Sequence, residues 1–397
     1  MAILLVTSTA DSGYGSLRQA ISDADADDVI LFDLTVFPSG TTTAILLSLN
    51  LALNKEITID AGATESPRRV ALDAQSSGRC VYLQSDAEVD VIGIEFRNAS
   101  QTGNGGAVYC GSPHPCSFIN CRFESSTGNT GGGLSTTVAA DLTFDRCEFV
   151  GNSSSGNGGA LYASSSASLT LSECTFSGNS SSAGVDRRGV YLAGTSSASF
   201  AKSTLDAIFV YTTASVAFSG GITTTDDATI QNNVVVSFDN GAAFTIKSSA
   251  SIGSATFASS GRGYFATASG VDVSSATLSG VVLCSYGAGL ETFGIDADGA
   301  TWTADDLTVP ILLERRESDA SWTTLSSVAT GGTYSDSFAL GDTVRAFDGV
   351  RFFVASLDGY WRVDASFGSA SGGGGAGDDE PRWNVVDATI TPNLEEI

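Results

Sequence analysis

Four stretches between Val81 and Gly189 carry nearly the same alternation of apolar and polar positions. Set above one another, VDVIGIEFRNASQTGNGGAVY, CSFINCRFESSTGNTGGGLST, ADLTFDRCEFVGNSSSGNGGALY and ASLTLSECTFSGNSSSAGVDRRGVY bring Phe96, Phe123, Phe149 and Phe176 into one column, at steps of 27, 26 and 27 residues. Two places upstream Ile94, Cys121, Cys147 and Cys174 align, and downstream Gly106, Gly132 and Gly159 do so. Within a unit the period is two. From Ser168 to Phe176, Leu169 and Leu171 point inward, Ser172-Glu173 bends the chain, and Cys174 and Phe176 point inward again. Short alternating strands and Gly/Ser/Asn turns at a fixed period of this length predict a solenoid.

Around the repeats the pattern predicts further elements. Ser16 with Gln19 three places on is a capping-box signal, and Leu17, Ala20, Ile21 and Ala24 form one apolar face of a short helix. A strand over Val29–Phe32 follows, and residues 1–40 read as an N-terminal cap covering the open end of the first coil. Residues 41–292 read as the stacked coils, less regular before Leu83 and with drifting spacing after Gly189. From 293 to 367 strand-like runs joined by Asp348-Gly349 and Asp358-Gly359 predict a small antiparallel β-domain, a sandwich or barrel. Residues 368–377 are a Gly-rich linker. Residues 378–397 regain apolar character at Trp383, Val385, Val386 and Ile390, a tail able to dock on a sheet edge of a partner subunit, to fold back on its own domain or to stay disordered.

The run Asp11-Ser-Gly-Tyr-Gly-Ser-Leu-Arg-Gln-Ala-Ile21, followed by Ile30-Leu-Phe-Asp33, resembles the SLR(E/Q)AI leader found ahead of right-handed parallel β-helices in bacterial surface and secreted proteins. The repeats resemble the polymorphic outer-membrane protein type, with GGA at Gly105–Ala107 and Gly158–Ala160 and FxxN at Phe149–Asn152 and Phe176–Asn179. Phe96 and Phe123 lack the Asn, and Gly131–Gly133 replaces GGA. The resemblance covers roughly the first half of the chain. It implies a right-handed single-stranded parallel β-helix with a short capping helix; together with the small antiparallel β-domain read from the strand pattern of 293–367, the expected fold class is all-β. It implies no activity, because such modules serve adhesins, passenger domains and structural proteins alike.

Charge narrows the partners. Nineteen Lys and Arg stand against 44 Asp and Glu, a formal charge of −25, which repels phosphate backbones and anionic headgroups; nucleic acid is excluded as a partner. The apolar run Ile3–Val6 is too short for a signal-peptide core, no segment offers about 20 unbroken apolar residues, and membrane insertion is not expected. The cysteine column Cys121, Cys147 and Cys174 reads as core; Cys110 and Cys116, flanking a Pro-rich loop, are the pair most open to bridging. No metal or cofactor is expected: His114 is the only histidine and no CxxC occurs.

On the outer face Glu95, Arg122, Glu148 and Thr175 form a column with Asn120, Arg146 and Glu173 beside it at the bend, setting Arg122 between two glutamates and Arg146 near Glu173. This is either a catalytic patch or an alternating-sign ladder that avoids like-charge stacking; the ladder is the favoured reading. Asn152 and Asn179 read as stacked residues that satisfy turn backbone. Nothing marks a nucleophile or a defended acid pair. The expected role is therefore a non-enzymatic structural or adhesive protein of an extracellular assembly, a virion fibre, spike or decoration protein or a bacterial surface protein, as a homo-oligomer with protein partners. A polysaccharide-degrading enzyme, or a glycan-binding module using exposed Tyr360 and Trp361, are the alternatives.

Overall fold

A computed structural model describes residues 1–268 apart from 65, 212–213, 232 and 240–241, and beyond them the backbone of strands between 277 and 366. The chain divides into two compact units: Met1–Ala217 with Thr223–Val236, and Phe218–Ile222 with Ser237–Ile397.

The first unit winds through three parallel sheets. The first stacks Ile3–Val6, Asp28–Phe32, Glu56–Asp60, Glu88–Ile92, Pro115–Ile119, Asp141–Asp145, Ser168–Ser172 and Ser197–Ala201. The second runs from Thr43–Leu46 through Ile94–Arg97, Arg122–Glu124, Glu148–Val150 and Thr175–Ser177. The third runs from Leu51–Leu53 through Val81–Leu83, Val108–Cys110, Leu134–Thr136 and Leu161–Ala163 to Val190–Leu192. The stack therefore begins at Ile3, inside the segment expected to be only a cap.

Register is exact in the inward columns because a slip of one residue would expose the core of a whole coil. Phe96, Phe123, Phe149 and Phe176 are 1%, 0%, 0% and 3% exposed, and their rings stack at centroid separations of 5.1, 4.5 and 4.5 Å. Cys121, Cys147 and Cys174 are fully buried beside them. At the bend between the first and second sheets Asn120, Arg146, Glu173 and Lys202 hold φ of 50°, 50°, 53° and 47°; a left-handed residue turns the chain between strands there. The GGA motif has a close-approach cause. A Cβ on Gly106 would collide with the carbonyl oxygen of Gly132 in the next coil.

The drift after Gly189 is a shortening of the coil. Thr204–Val210 pairs at Thr204 with the second sheet and at Ile208–Val210 with the third, so one continuous strand replaces two strands and the loop between them. Its successor lies at a 20-residue step, Thr204 opposite Thr224 and Phe209 opposite Thr229.

The leader residues tie the helix α1 (Leu17–Asp23) to the first coils. The Ser16 hydroxyl accepts from the Gln19 N–H at 3.1 Å. The Gln19 side chain turns to Asp23 at 2.6 Å, so only half of a capping box forms. Leu17, Ala20 and Ile21 are buried. Arg18 donates to Asp11 and to the carbonyls of Leu49 and Asn50. At the other end of the helix the Lys55 ammonium donates to the carbonyls of Ile21, Ser22 and Ala24, satisfying groups that a helix C-terminus leaves open.

In the second unit Phe218, Phe244, Phe265, Phe257 and Phe238 stack as a second aromatic core. Ala255–Ala268 and Thr277–Tyr286 pair parallel. From there pairing turns antiparallel: Ile311–Arg316 with Trp322–Val328 and Thr343–Phe347, Thr343–Phe347 with Phe352–Ser356, and Thr333–Phe338 with Trp361–Ser366.

Candidate functional site

The outward residues of the coils form three columns with different chemistry. On the second sheet, Glu95, Arg122, Glu148 and Thr175 stand opposite one another. Arg122 hydrogen-bonds Glu148 and, at 2.9 Å, Glu124. Glu95 instead pairs with Arg97 at 2.9 Å, and Arg97 also reaches Asp73 at 2.9 Å. Arg146 pairs with its neighbour Asp145 at 2.8 Å, and not with the expected partner Glu173. Glu148 has a second arginine. Arg68, 7% exposed, bonds the carbonyls of Asn120 and Cys121 and reaches Glu148 at 2.9 Å. Burial pushes the Glu148 carboxyl up, but the guanidinium groups of Arg68 and Arg122 hold it below its ordinary value. Arg68 comes from an irregular loop 52 residues before Asn120.

On the third sheet an aromatic column runs Tyr82, Tyr109, Tyr162, Tyr191 and Phe209, interrupted at Ser135. Tyr162 and Tyr191 stack at 5.5 Å, Tyr191 and Phe209 at 4.8 Å. Arg79 lies over Tyr82 and Tyr109, and Arg187 over Phe209 at 4.6 Å. Tyr191 has Tyr162 on one face and Phe209 on the other, so its ring is not free to stack on a sugar. Sequence reasoning passed over this column, although Tyr recurs at the centre of VYL, VYC, LYA and VYL.

On the first sheet charge is unbalanced. A hollow of about 330 Å³ is lined by Asp27, Glu56, Glu88, Asp90, Ser117 and Thr143, among others. Glu56 and Glu88 are register partners. The charges of Asp27 and Glu88 raise the Glu56 carboxyl above its ordinary value. Among the described residues no group of three or more His, Cys, Asp or Glu is placed to hold a metal ion, and no described helix is long and apolar enough to cross a membrane.

Inside the coil a polar ladder replaces apolar packing at one corner. Asn152 donates to the Phe123 carbonyl at 2.8 Å and to Asn179 at 3.1 Å; Asn179 donates to the Phe149 carbonyl at 2.9 Å and to Asp206 at 2.8 Å. These amides are buried; as expected they satisfy turn backbone, the Asn152 side-chain oxygen accepting from the Ser126 N–H at 3.2 Å and that of Asn179 from the Asn152 N–H at 2.9 Å, and they bond strand carbonyls as well. The tail residues Trp383, Val385, Val386 and Ile390, and Tyr360, lie outside the described residues. Trp361 is described only as backbone, opposite Phe338.

A family model described as a right handed beta helix region matches residues 79–257. The chain folds as a right-handed parallel β-helix. No curated protein and no solved structure matches it. The matched β-helix region contains all four repeats and begins after the leader segment.

Proposed function

We propose that this β-helix chain is a non-enzymatic structural or adhesive component of an extracellular assembly: a virion fibre, spike or decoration protein, or a bacterial surface protein. It would act as a homo-oligomer with protein partners, the tail at 378–397 docking on a neighbouring subunit. The observation that carries the reading is where the polar groups of the coils go. Arg97 and Arg122 are bound to carboxylates of their own or neighbouring coils, Arg68 to Glu148 three coils on, and the buried amides to strand carbonyls. Such bonds hold coil to coil. The likeness of the leader and repeats to bacterial surface proteins supports the same reading.

Two experiments test it. The purified protein should leave a panel of neutral and acidic polysaccharides undegraded, and release of oligosaccharides from any of them overturns the non-enzymatic assignment. Removing residues 378–397 should lower the oligomeric mass measured by light scattering, and an unchanged mass removes the tail from the assembly.

A carbohydrate-directed role is the second reading, favoured by the acidic hollow on the first sheet. If it holds, Glu56→Gln would abolish degradation of a neutral glycan. If the chain is a lectin using its C-terminal aromatics, saturable glycan binding would vanish in Tyr360→Ala or Trp361→Ala.

A further inference from the structure

In each coil of the first unit, one inward residue ends the third-sheet strand and another opens the first-sheet strand, and the two flank one corner. Leu83 and Val89 hold these places in one coil and Thr136 and Leu142 in another, on either side of a coil where both are cysteine, Cys110 and Cys116. The turn joining them is pinned from within. The Ser112 hydroxyl donates to the Ala87 carbonyl at 2.6 Å and accepts from the His114 N–H at 3.0 Å. Cys110 Sγ points to the Ser112 carbonyl at 3.5 Å and Cys116 Sγ to that same Ala87 carbonyl at 3.6 Å. Both side chains are buried, 0% and 3% exposed.

We propose that Cys110 and Cys116 form a disulfide across this corner when the protein meets an oxidant of the small-molecule disulfide class. The chemistry is thiol–disulfide exchange. One protein thiol loses its proton, and its sulfur attacks a sulfur of the oxidant, forming a mixed disulfide and releasing one small thiol. The second protein sulfur attacks the first, closing the protein disulfide and releasing the second small thiol. Two protein thiols are oxidised and one small disulfide is reduced.

The column Cys121, Cys147 and Cys174 differs. Each thiol points to a carbonyl of the preceding coil, Val91, Phe118 and Phe144 at 3.3, 3.2 and 3.5 Å, and each belongs to a different coil. The 110–116 bridge closes within one coil and requires no change in the stacking. It stands independently of the proposed function.

The test uses the full chain prepared under reducing conditions, then incubated with oxidised glutathione, acid-quenched, denatured, alkylated and digested with trypsin. The tryptic peptide 98–122 carries Cys110, Cys116 and Cys121. The expected result is one alkylated cysteine in that peptide and a mass lower by two hydrogens at the other two. Cys121→Ser should keep the bridge. Cys116→Val, which places the residue found at Val89 in the same column, should abolish it. No bridge within peptide 98–122 of the wild-type chain, loss of the bridge in Cys121→Ser, or a bridge that persists in Cys116→Val overturns the proposal.

Discussion

The side-chain amide and the backbone N–H of Asn179 both donate to one oxygen of Asp206, at 2.8 and 3.0 Å, while the other oxygen of that carboxyl has no hydrogen-bond partner. The ladder thus ends on a buried acid half of whose acceptor capacity is unused.

Burial pushes the Asp206 carboxyl above its ordinary value of 3.8 despite the bonds from Asn179. An acid whose folded value is raised binds its proton more tightly folded than unfolded, so stability falls as pH rises from 3.8 to the folded value and stays reduced above it. Asp206→Asn keeps an acceptor for Asn179 and carries no charge. The variant should be more stable than wild type by about 1 kcal/mol at pH 7, with the gain shrinking towards pH 3.5. Urea midpoints of both proteins at several pH values check this; a gain independent of pH would mean that charge is not its cause.

Glu148 has the opposite sign. Its carboxyl is held below the ordinary value of 4.5 by two arginines, so its contribution is present above 4.5 and is lost as pH falls through the folded value. The side chain is one-third exposed, and solvent screening limits the contribution to about 0.5–1 kcal/mol. Glu148→Gln should lose that much at pH 7 and progressively less as pH falls below 4.5. The two titrations run in opposite directions within one molecule, so a general effect of acid on the fold cannot imitate both.

Phe149 lies between Phe123 and Phe176, each at 4.5 Å, with no exposed surface. Phe149→Ala opens a cavity that both neighbours line, and should cost about 3–5 kcal/mol in equilibrium unfolding. Val185→Ala, at a side chain 71% exposed, is the matched control and should change stability by less than about 0.5 kcal/mol.

Much of this was legible in the chain because a solenoid repeats its instructions. The Phe and Cys columns follow from period two within a strand and a step of 26 or 27 residues between coils. What was not legible arises where that period breaks. Arg68 reaches Glu148 from a loop with no counterpart in other coils. Asn152 and Asn179 were legible as stacked residues that satisfy turn backbone, but their second bonds, to the strand carbonyls of Phe123 and Phe149, were not. Arg146 pairs with Asp145, its neighbour in the chain, where the column set it near Glu173. The acidic hollow gathers Asp27, Glu56 and Glu88 from coils whose spacing departs from the repeat.

Lys55 gives the last prediction. Its ammonium bonds three carbonyls at the C-terminal end of α1, so it satisfies open acceptors and places positive charge at the negative end of the helix. Lys55→Met keeps most of the aliphatic stem and removes both effects. The loss should be about 1 kcal/mol and local, because Ser16 still caps the other end and Leu17, Ala20 and Ile21 remain buried. Hydrogen exchange should quicken at residues 20–24 while the amides of Arg122–Glu124 keep wild-type protection. Equal acceleration in both places would mean that the helix and the coils open as one cooperative unit, and that Lys55 contributes to the stability of the whole stack.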